Sequence, residues 1–317
     1  MREITYYQAS NEALREEFLR DDKVVHLSTD VPSSLLKEFG PARVRGTPIS
    51  ESAFVGAAIG LAGSGFRPVV NIRMATFMFV AMDQFINQAA KITYMFGGQA
   101  RFPIVYRVTV GGGVSMAAQH SINPYSMFMN IPGIKLILPA TPYDMKGLLK
   151  AAIRDGNPVL SFEHRALAMI KGEVPQEEYT VPFGKAEVRR QGTDVTVIAL
   201  SNMLYLALEA AKEMEKAGVS MEVMDLRTLV PMDKEAIRAS VAKTGRLVVV
   251  DEACQTAGAA AEIISVAVED SRTFKHLKAQ PLRVCAPDVP IPYSPPMEKF
   301  VLPDKEKILA AVKKVME

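Results

Sequence analysis

The sequence predicts an α/β protein of two domains, each a mostly parallel sheet covered by helices. Short apolar runs of strand length alternate with helical patterns along the whole chain. This alternation is typical of parallel sheets that are covered on both faces. A length of 317 residues also exceeds what one ordinary hydrophobic core accommodates, so two domains are expected.

The first half of the chain gives the clearer alternation. Residues 8–20 have the spacing of an amphipathic helix, with Ala9, Leu14 and Phe18 apolar among charged residues. Strands are predicted at residues 23–27, 67–72, 103–110, 134–138 and 158–162, and further helices at 51–66, 81–95 and 142–154. Residues 171–183 interrupt the rhythm with two prolines and three glutamates, which indicates a linker.

The linker divides the chain into a first domain at residues 1–183 and a second at 184–317. In the second domain, strands are predicted at 194–200, 221–225, 246–250 and 282–285, and helices at 203–217, 232–243, 259–268 and 305–315. The second domain therefore repeats the α/β pattern at a usual domain size.

The composition argues against several classes of function. A net charge of +2 gives no electrostatic reason to expect binding to nucleic acid or to an anionic membrane. The uncharged helical run at 52–66 is shorter than a membrane-spanning helix. Cys254 and Cys285 stand at no metal or redox spacing, which suits a reducing compartment. We therefore expect a soluble, cytoplasmic protein.

One carboxylate stands out at the start of an uncharged helix. Pro48 and Ser50 mark a turn and a helix start, with Ser50 or Thr47 available to cap the helix. Glu51 then lies in the first turn, where the helix dipole favours a negative charge while burial disfavours it. Such a carboxylate can share a proton with a ligand, although any helix also tolerates a glutamate in its first turn.

Two further residues are candidates for the same site. His120 follows the strand that ends in three glycines, at the sheet edge where parallel α/β proteins bind ligands. An imidazole there can move protons near neutral pH, although a single histidine is often structural. Phe77, after the second strand, could stack on a flat ligand or simply fill the core.

The familiar phosphate-binding motifs are missing. The glycines at 60–65 have the wrong spacing for a dinucleotide fingerprint, and there is no Walker loop, no GxSxG motif and no diphosphate-binding GDG with its distant Asn. The four histidines are too scattered to define a metal site. Glu51, Phe77 and His120 therefore look like half of a site.

Several ordered motifs give the chain a resemblance to a known family over nearly its whole length. They are Thr47-Pro48-Ile49-Ser50-Glu51, Met82-Asp83-Gln84, Asn87-Gln88-Ala89-Ala90-Lys91, Ala117-Ala118-Gln119-His120-Ser121, Tyr143-Asp144-Met145-Lys146-Gly147-Leu148-Leu149-Lys150, Asp225-Leu226-Arg227-Thr228-Leu229 and Pro287-Asp288-Val289-Pro290-Ile291-Pro292-Tyr293. The chain resembles the β subunits of the E1 component of 2-oxo acid dehydrogenase complexes, of the pyruvate, branched-chain or acetoin type. The resemblance implies a thiamine-diphosphate pyrimidine-binding domain followed by a transketolase C-terminal domain.

The resemblance also implies a role for each part of the half site. Glu51 would hydrogen-bond the pyrimidine ring of thiamine diphosphate, Phe77 would stack on that ring, and Ile49 would lie beside the cofactor. His120 would face the substrate channel and assist acyl transfer to lipoyl-lysine. A separate α subunit, in an α2β2 heterotetramer, would hold Mg²⁺ and the diphosphate. A lipoyl-bearing E2 protein would be the acyl acceptor.

The same resemblance suggests a structural K⁺ site. Some relatives bind K⁺ at the positions occupied here by Ile104, Ala152, Asp155 and Asn157. Backbone carbonyls and a carboxylate are suitable ligands for a hard cation. A plain turn at Asp155-Gly156-Asn157 explains the same residues equally well.

The sequence also departs from the family. Thr29 stands where relatives usually carry a glutamate that helps to relay protons between active sites, and the loop at 31–43 is short. Arg73 and Val80 occupy pocket positions where residues of other character are common. These changes leave a non-oxidative carboligase or α-diketone-cleaving enzyme of the same α2β2 architecture as an alternative.

Two readings from other classes also remain open. A scaffold subunit with a decayed site is opposed by the retention of Glu51, Phe77 and His120. A nucleotide-binding regulatory protein lacks the glycine fingerprint. The leading expectation is a thiamine-diphosphate enzyme subunit that acts on a 2-oxo acid.

Overall fold

The computed structural model describes all residues, 1–317, and divides into two compact units. The first unit comprises Met1–Val110 and Met127–Phe183, and the second comprises Gly111–Ser126 and Gly184–Glu317. The segment that carries His120 therefore groups with the second unit, although it follows a strand of the first.

The helices and strands of the first part of the chain follow the predicted alternation. They are β1 (Arg2–Thr5), α1 (Tyr6–Arg20), β2 (Val24–Ser28), α2 (Ser33–Phe39), β3 (Val44–Gly46), α3 (Glu51–Gly63), β4 (Arg67–Ile72), α4 (Ile92–Met95), β5 (Val105–Val110), α5 (Tyr125–Met129), β6 (Lys135–Ile137), α6 (Pro142–Arg154), β7 (Val159–His164) and β8 (Lys171–Val174). A 3₁₀ helix at Ala75–Ala81 and a π helix at Gln84–Ala89 lie between β4 and α4.

Six parallel strands of the first unit form one sheet. Their order is β6-β7-β5-β4-β2-β3, and every neighbouring pair is parallel. Ser28 at the end of β2 is level with Asn71 in β4 and with Gly46 in β3. The three strand ends therefore meet at one edge, and the segments that follow them start side by side.

Ion pairs join the two helices α1 and α6. The ammonium groups of Lys146 and Lys150, both almost fully buried, each lie 2.6 Å from the carboxylate of Glu16. Burial acts to raise the pKa of Glu16, but hydrogen bonds from the two lysines outweigh it and lower that pKa. The covering helices are thus held by paired charges as well as by apolar packing.

The helix predicted at 81–95 is broken. The π helix ends at Ala89, and α4 starts only at Ile92. The backbone of Gly133 passes so close to this break that a Cβ there would lie 1.9 Å from the carbonyl oxygen of Ala90. Because Gly133 also has a φ of +103°, only glycine suits this crossing.

The second unit contains its own sheet. Its helices and strands are β9 (Glu187–Arg190), β10 (Val195–Ala199), α7 (Met203–Lys216), β11 (Met221–Asp225), β12 (Thr228–Val230), α8 (Lys234–Thr244), β13 (Leu247–Cys254), α9 (Ala259–Val268), α10 (Ser271–His276), β14 (Leu282–Ala286), α11 (Pro295–Val301) and α12 (Lys305–Met316). The strand order is β14-β13-β10-β11-β9, parallel except for the β11–β9 pair. The predicted class, two mostly parallel sheets covered by helices, is confirmed.

Part of the segment predicted as a linker is ordered structure of the first unit. Lys171–Val174 form β8, which pairs antiparallel with β1. Farther along, the ring of Tyr179 stacks on that of Tyr143, with their centroids 4.6 Å apart. This segment therefore packs on α6 before the chain enters the second unit.

Candidate active site

Glu51 is a buried carboxylate at the start of α3. Only 9% of the residue is exposed, and the structure gives its carboxylate no hydrogen bond or ion pair. The rest of α3 carries no ionisable side chain. A buried carboxylate normally has a partner, because burial removes the water that would solvate it. Glu51 is therefore available to a group from outside the chain.

The start of α3 corrects one sequence prediction. Ser50 is the N-cap residue, but its side chain makes no capping hydrogen bond, and its carbonyl oxygen accepts from the N–H groups of Ala53 and Phe54 instead. The hydroxyl of Thr47 is buried without a partner, so it does not cap the helix either. The prediction of a side-chain cap was wrong, because Ser50 has a ψ of 82° rather than the fully extended value of the usual cap.

Phe77 lies on an element that packs against the helix of Glu51. It belongs to the 3₁₀ helix Ala75–Ala81, which follows β4 and contacts α3. The hydroxyl of Ser52, next to Glu51, donates to the carbonyl oxygen of Val80 in this 3₁₀ helix. Phe77 is half-buried, so part of its ring can be reached by a ligand. Ile49, in the loop before α3, is 84% exposed.

An exposed ion pair lies at the same edge of the sheet. Arg73 follows β4 and Asp30 follows β2, and their side chains lie 3.2 Å apart. The N–H of Asp30 donates to Oγ of the fully buried Ser28, which fixes the turn that contains Thr29. An ion pair as exposed as this contributes little to stability. Thr29 thus stands beside a charged pair.

His120 lies on a 3₁₀ turn, Ala118–His120, within the segment that groups with the second unit. The residue is half-buried. Its surroundings are strained, since Ser115 and Ala117 have φ values of 55° and 59°, in the left-handed region that disfavours side chains. The structure thus places Glu51 and Phe77 on neighbouring elements of the first unit, and His120 on a loop of the second.

Buried acidic groups stand close to the end of that loop. The hydroxyl of Tyr125 is hydrogen-bonded to the carboxylate of Asp251, in the second half of β13. Burial is the main cause that raises the pKa of Asp251 to about 6; hydrogen bonds from Tyr125 and Ala253 oppose the rise, and the neighbouring charge of Glu252 adds to it. Burial, with the charge of Asp251 next, also raises the pKa of Tyr125 well above its ordinary value.

These acidic groups of the second unit were not predicted from the sequence. One signal was present: Asp251 and Glu252 directly follow the apolar run of β13, at the strand end where parallel sheets bind ligands. Glu298, whose carboxylate accepts hydrogen bonds from the N–H groups of Gly113 and Ser115 in the same loop, had no such signal, because it lies in the short helix α11 far along the chain.

The residues considered for K⁺ already have partners within the chain. The carboxylate of Asp155 pairs with Lys135 and accepts from Asn157. The carbonyl oxygen of Ile104 accepts from the N–H of Val159, and that of Ala152 from the N–H of Asp155. Burial acts to raise the pKa of Asp155, but the hydrogen bonds from Lys135 and Asn157 outweigh it and lower that pKa. Each carbonyl oxygen retains a second lone pair, which a cation could use.

Two classes of site find no support in residues 1–317. No group of three or more His, Cys, Asp or Glu side chains could hold a metal ion. None of the helices combines the length and apolar character that crossing a membrane requires.

Two domain families match the sequence. The model of the transketolase pyrimidine-binding domain matches residues 2–171, and that of the transketolase C-terminal domain matches residues 184–308. A solved structure described as "Split gene transketolase, inactive beta4 tetramer" superposes with a TM-score of 0.82 over 99% of this chain and 98% of that chain. Its sequence identity is 24%, so this likeness concerns the fold.

Curated relatives share much more of the sequence. The β subunit of acetoin:2,6-dichlorophenolindophenol oxidoreductase from Cupriavidus necator is 42% identical, over 100% of this chain and 98% of the relative. The β subunit of 2-oxoisovalerate dehydrogenase from Bacillus subtilis is 42% identical over 99% of both chains. The β subunit of the pyruvate dehydrogenase E1 component from the same organism is 42% identical over 100% of both.

Proposed function

This chain belongs to the transketolase-like family of thiamine-diphosphate enzymes, among the β subunits of 2-oxo acid dehydrogenase E1 components. We propose that it supplies half of an active site that cleaves the bond next to the carbonyl of a 2-oxo acid. The proposed reaction is oxidative decarboxylation with acyl transfer to lipoyl-lysine.

The observation that carries this proposal is the unpartnered carboxylate of Glu51. It is nine-tenths buried at the mouth of an uncharged helix, and a half-buried aromatic ring lies on the neighbouring 3₁₀ helix. These residues suit the aminopyrimidine end of thiamine diphosphate, which offers ring nitrogens to a carboxylate and a flat face to Phe77.

Each residue of the proposed site has one task. Thiamine diphosphate, when bound, would supply the nucleophilic carbon chemistry that cleavage next to a 2-oxo group requires. Glu51 holds a proton at a ring nitrogen of the pyrimidine, and the apolar surroundings of α3 keep water from competing for it. Phe77 fixes the plane of the ring, with Ile49 beside it. His120 then serves proton transfer at the stage of acyl transfer, because an imidazole has one nitrogen that can donate a proton and one that can accept it.

An α subunit is proposed as the partner in an α2β2 heterotetramer, as the family implies. The chain carries no diphosphate-binding motif, so Mg²⁺ and the diphosphate are assigned to that partner. A surface for it is available: Tyr94, Met95 and Phe96 are adjacent in sequence and 88%, 71% and 58% exposed. Soluble proteins rarely leave such a run in water. We propose that the α subunit covers it.

Calorimetry can test the half-site proposal. Thiamine diphosphate with Mg²⁺ is titrated into this chain alone and into the chain co-expressed with its α subunit. Binding is expected only in the assembled pair. Binding to the chain alone would reveal a phosphate site within it, and no binding to either preparation would favour a scaffold subunit.

The variant Glu51→Gln tests the catalytic assignment. It preserves the shape of the side chain but removes the proton acceptor, so turnover of the α2β2 complex should fall at least about a hundredfold while assembly is retained. Glu177→Gln is a matched control, because Glu177 is exposed and lies in the same unit. Normal turnover by Glu51→Gln would rule out the role given to this carboxylate.

Thr29 and the short loop at 31–43 favour a second candidate function. Without the usual glutamate at position 29, coupling between two active sites through that residue is lost. A non-oxidative carboligase or α-diketone-cleaving enzyme does not need a lipoyl acceptor. Turnover with a diketone and none with lipoamide would favour this candidate.

Two ancillary assignments complete the proposal. K⁺ is proposed as a ligand of the carbonyl groups of Ile104 and Ala152 with Asp155 and Asn157. Replacing K⁺ by Na⁺ should then lower the melting temperature of the chain, and identical melting curves would refute the site.

The reducing cytoplasm is proposed as the compartment of this chain, since both cysteines are free thiols.

A further inference from the structure

The loop that carries His120 has a backbone that cannot hold its shape unaided. Gly111 and Gly113 have φ values of +94° and +89°, and Ser115 and Ala117 are also in the left-handed region. Side chains disfavour this conformation, so surrounding contacts must impose it. The residues that make those contacts control where His120 stands.

Glu298 makes most of these contacts. Its Oε1 accepts from the N–H of Gly113 at 2.8 Å, and its Oε2 accepts from the N–H of Ser115 at 2.8 Å and from the Ser115 hydroxyl at 3.4 Å. The two carboxylate oxygens therefore bind the two ends of the turn, Oε1 at Gly113 and Oε2 at Ser115. Glu298 is 3% exposed and forms no ion pair, so N–H and O–H dipoles alone compensate its buried charge.

Glu252 holds the loop at two other points. Its Oε1 accepts from the N–H of Gly112 at 2.7 Å and from Nδ2 of Asn123 at 3.1 Å. These residues lie on either side of His120 in the sequence. Glu252 thus connects the part of the loop before His120 to the part after it.

The loop also lies directly against the helix of Glu298. A Cβ at Gly112 would be 3.1 Å from Cδ1 of Leu302 and 3.4 Å from Oε1 of Glu298. The close approach that brings the N–H groups to the carboxylate therefore depends on glycine at position 112.

We propose that Glu298 and Glu252 are positioning residues, which hold the His120 loop in the conformation that acyl transfer requires. The carboxylate of Glu298 is buried without a cation, which is a costly way to stabilise a fold, and an amide or an apolar side chain would serve that purpose at lower cost. Paired carboxylate oxygens are, in contrast, well suited to fix two N–H groups at a set separation. The inference rests on the proposed function of His120.

The decisive variant is Glu298→Gln in the α2β2 complex. The amide keeps the size of the side chain but turns one oxygen into an NH₂ group that faces a backbone N–H. Amide hydrogen exchange in residues 111–120, followed by mass spectrometry, should become at least about tenfold faster. The rate of transfer to lipoamide, divided by the rate of decarboxylation with an artificial electron acceptor, should fall about tenfold as well. Glu262→Gln, an exposed glutamate of the same unit, is the control.

A double variant separates positioning from general damage. If Glu298 acts through His120, adding Glu298→Gln to His120→Ala should cause no further loss of transfer. A multiplied loss would overturn the proposal, and so would unchanged exchange in residues 111–120. Should Glu298→Gln fail to fold, Glu298→Asp keeps both oxygens but withdraws them by one methylene, and an intermediate increase in exchange is expected.

The failure of the proposed function would be recognised separately. A wild-type complex that binds no thiamine diphosphate and turns over no 2-oxo acid would refute that function. The exchange measurement would then still decide whether Glu298 fixes the loop, because it does not depend on turnover.

Discussion

The buried imidazole of His26 predicts how the stability of the chain depends on pH. His26 lies in β2, between β3 and β4, with no exposed surface, and neither ring nitrogen has a hydrogen-bond partner. Burial, reinforced by the positive charge of Arg107, lowers the pKa of His26 to about 3. In the unfolded chain a histidine titrates near about 6.5. Acid therefore protonates this group in the unfolded state first.

The magnitude follows from the difference between these two pKa values. Because the folded pKa is the lower one, the contribution of His26 to stability is complete above about pH 6.5 and is lost as the pH falls towards 3. Each pH unit in this window costs about 1.4 kcal/mol, so about 2 kcal/mol should be lost between pH 8 and pH 5. Asp251 acts in the opposite sense: its raised pKa of about 6 restores stability as the pH falls through that value.

A variant separates these opposing effects. We expect His26→Leu, a substitution of similar volume, to gain about 2 kcal/mol relative to the wild type when both are moved from pH 8 to pH 5. Urea unfolding at the two pH values measures the difference, with unchanged slopes as the check on equivalent unfolding. His276→Leu, at an exposed position, should follow the wild type. A gap between His26→Leu and wild type that is the same at both pH values would refute the reasoning.

Three other predictions concern the site, the fold and the partner. His120→Ala should reduce transfer to lipoamide far more than decarboxylation with an artificial acceptor; equal losses in the two assays would argue against a transfer role. Gly133→Ala should destabilise the chain by about 3 kcal/mol in urea unfolding, since its Cβ would collide with the Ala90 carbonyl, whereas Gly65→Ala, with nothing within 4 Å, should cost only about 1 kcal/mol. Tyr94→Lys should weaken association with the α subunit in sedimentation velocity; unchanged association would place the interface elsewhere.

The features that sequence predicts well here are those that depend on neighbours along the chain. The alternation of apolar strands and helices gave the fold class, because burial on both faces is visible in each strand separately. Glu51 could be singled out for the same reason: an uncharged helix with one carboxylate in its first turn is a local pattern. The capping hydroxyl was predicted wrongly, because the sequence does not reveal that Ser50 has a ψ of 82° and not the extended value of the usual cap.

The features that sequence missed depend on residues brought together from far apart. The break in the helix predicted at 81–95 lies where the backbone of Gly133 crosses it, a close approach that no pattern around Ala90 reveals. Glu298 reaches Gly113 across 185 positions of sequence. No spacing rule connects such residues, since the tertiary fold alone decides that a helix near the end of the chain meets a glycine loop near its middle.

The anchoring of the His120 loop has a consequence for synthesis on the ribosome. Gly112 emerges 140 residues before Glu252, and Ser115 emerges 183 residues before Glu298. All six parallel strands of the first unit are translated before either carboxylate exists. A nascent chain can therefore assemble the sheet and α3 with Glu51 early, but the His120 loop must wait for almost the last helix. A truncated product ending near residue 183 would contain Glu51 and all six of these strands, but neither of the carboxylates that hold the His120 loop.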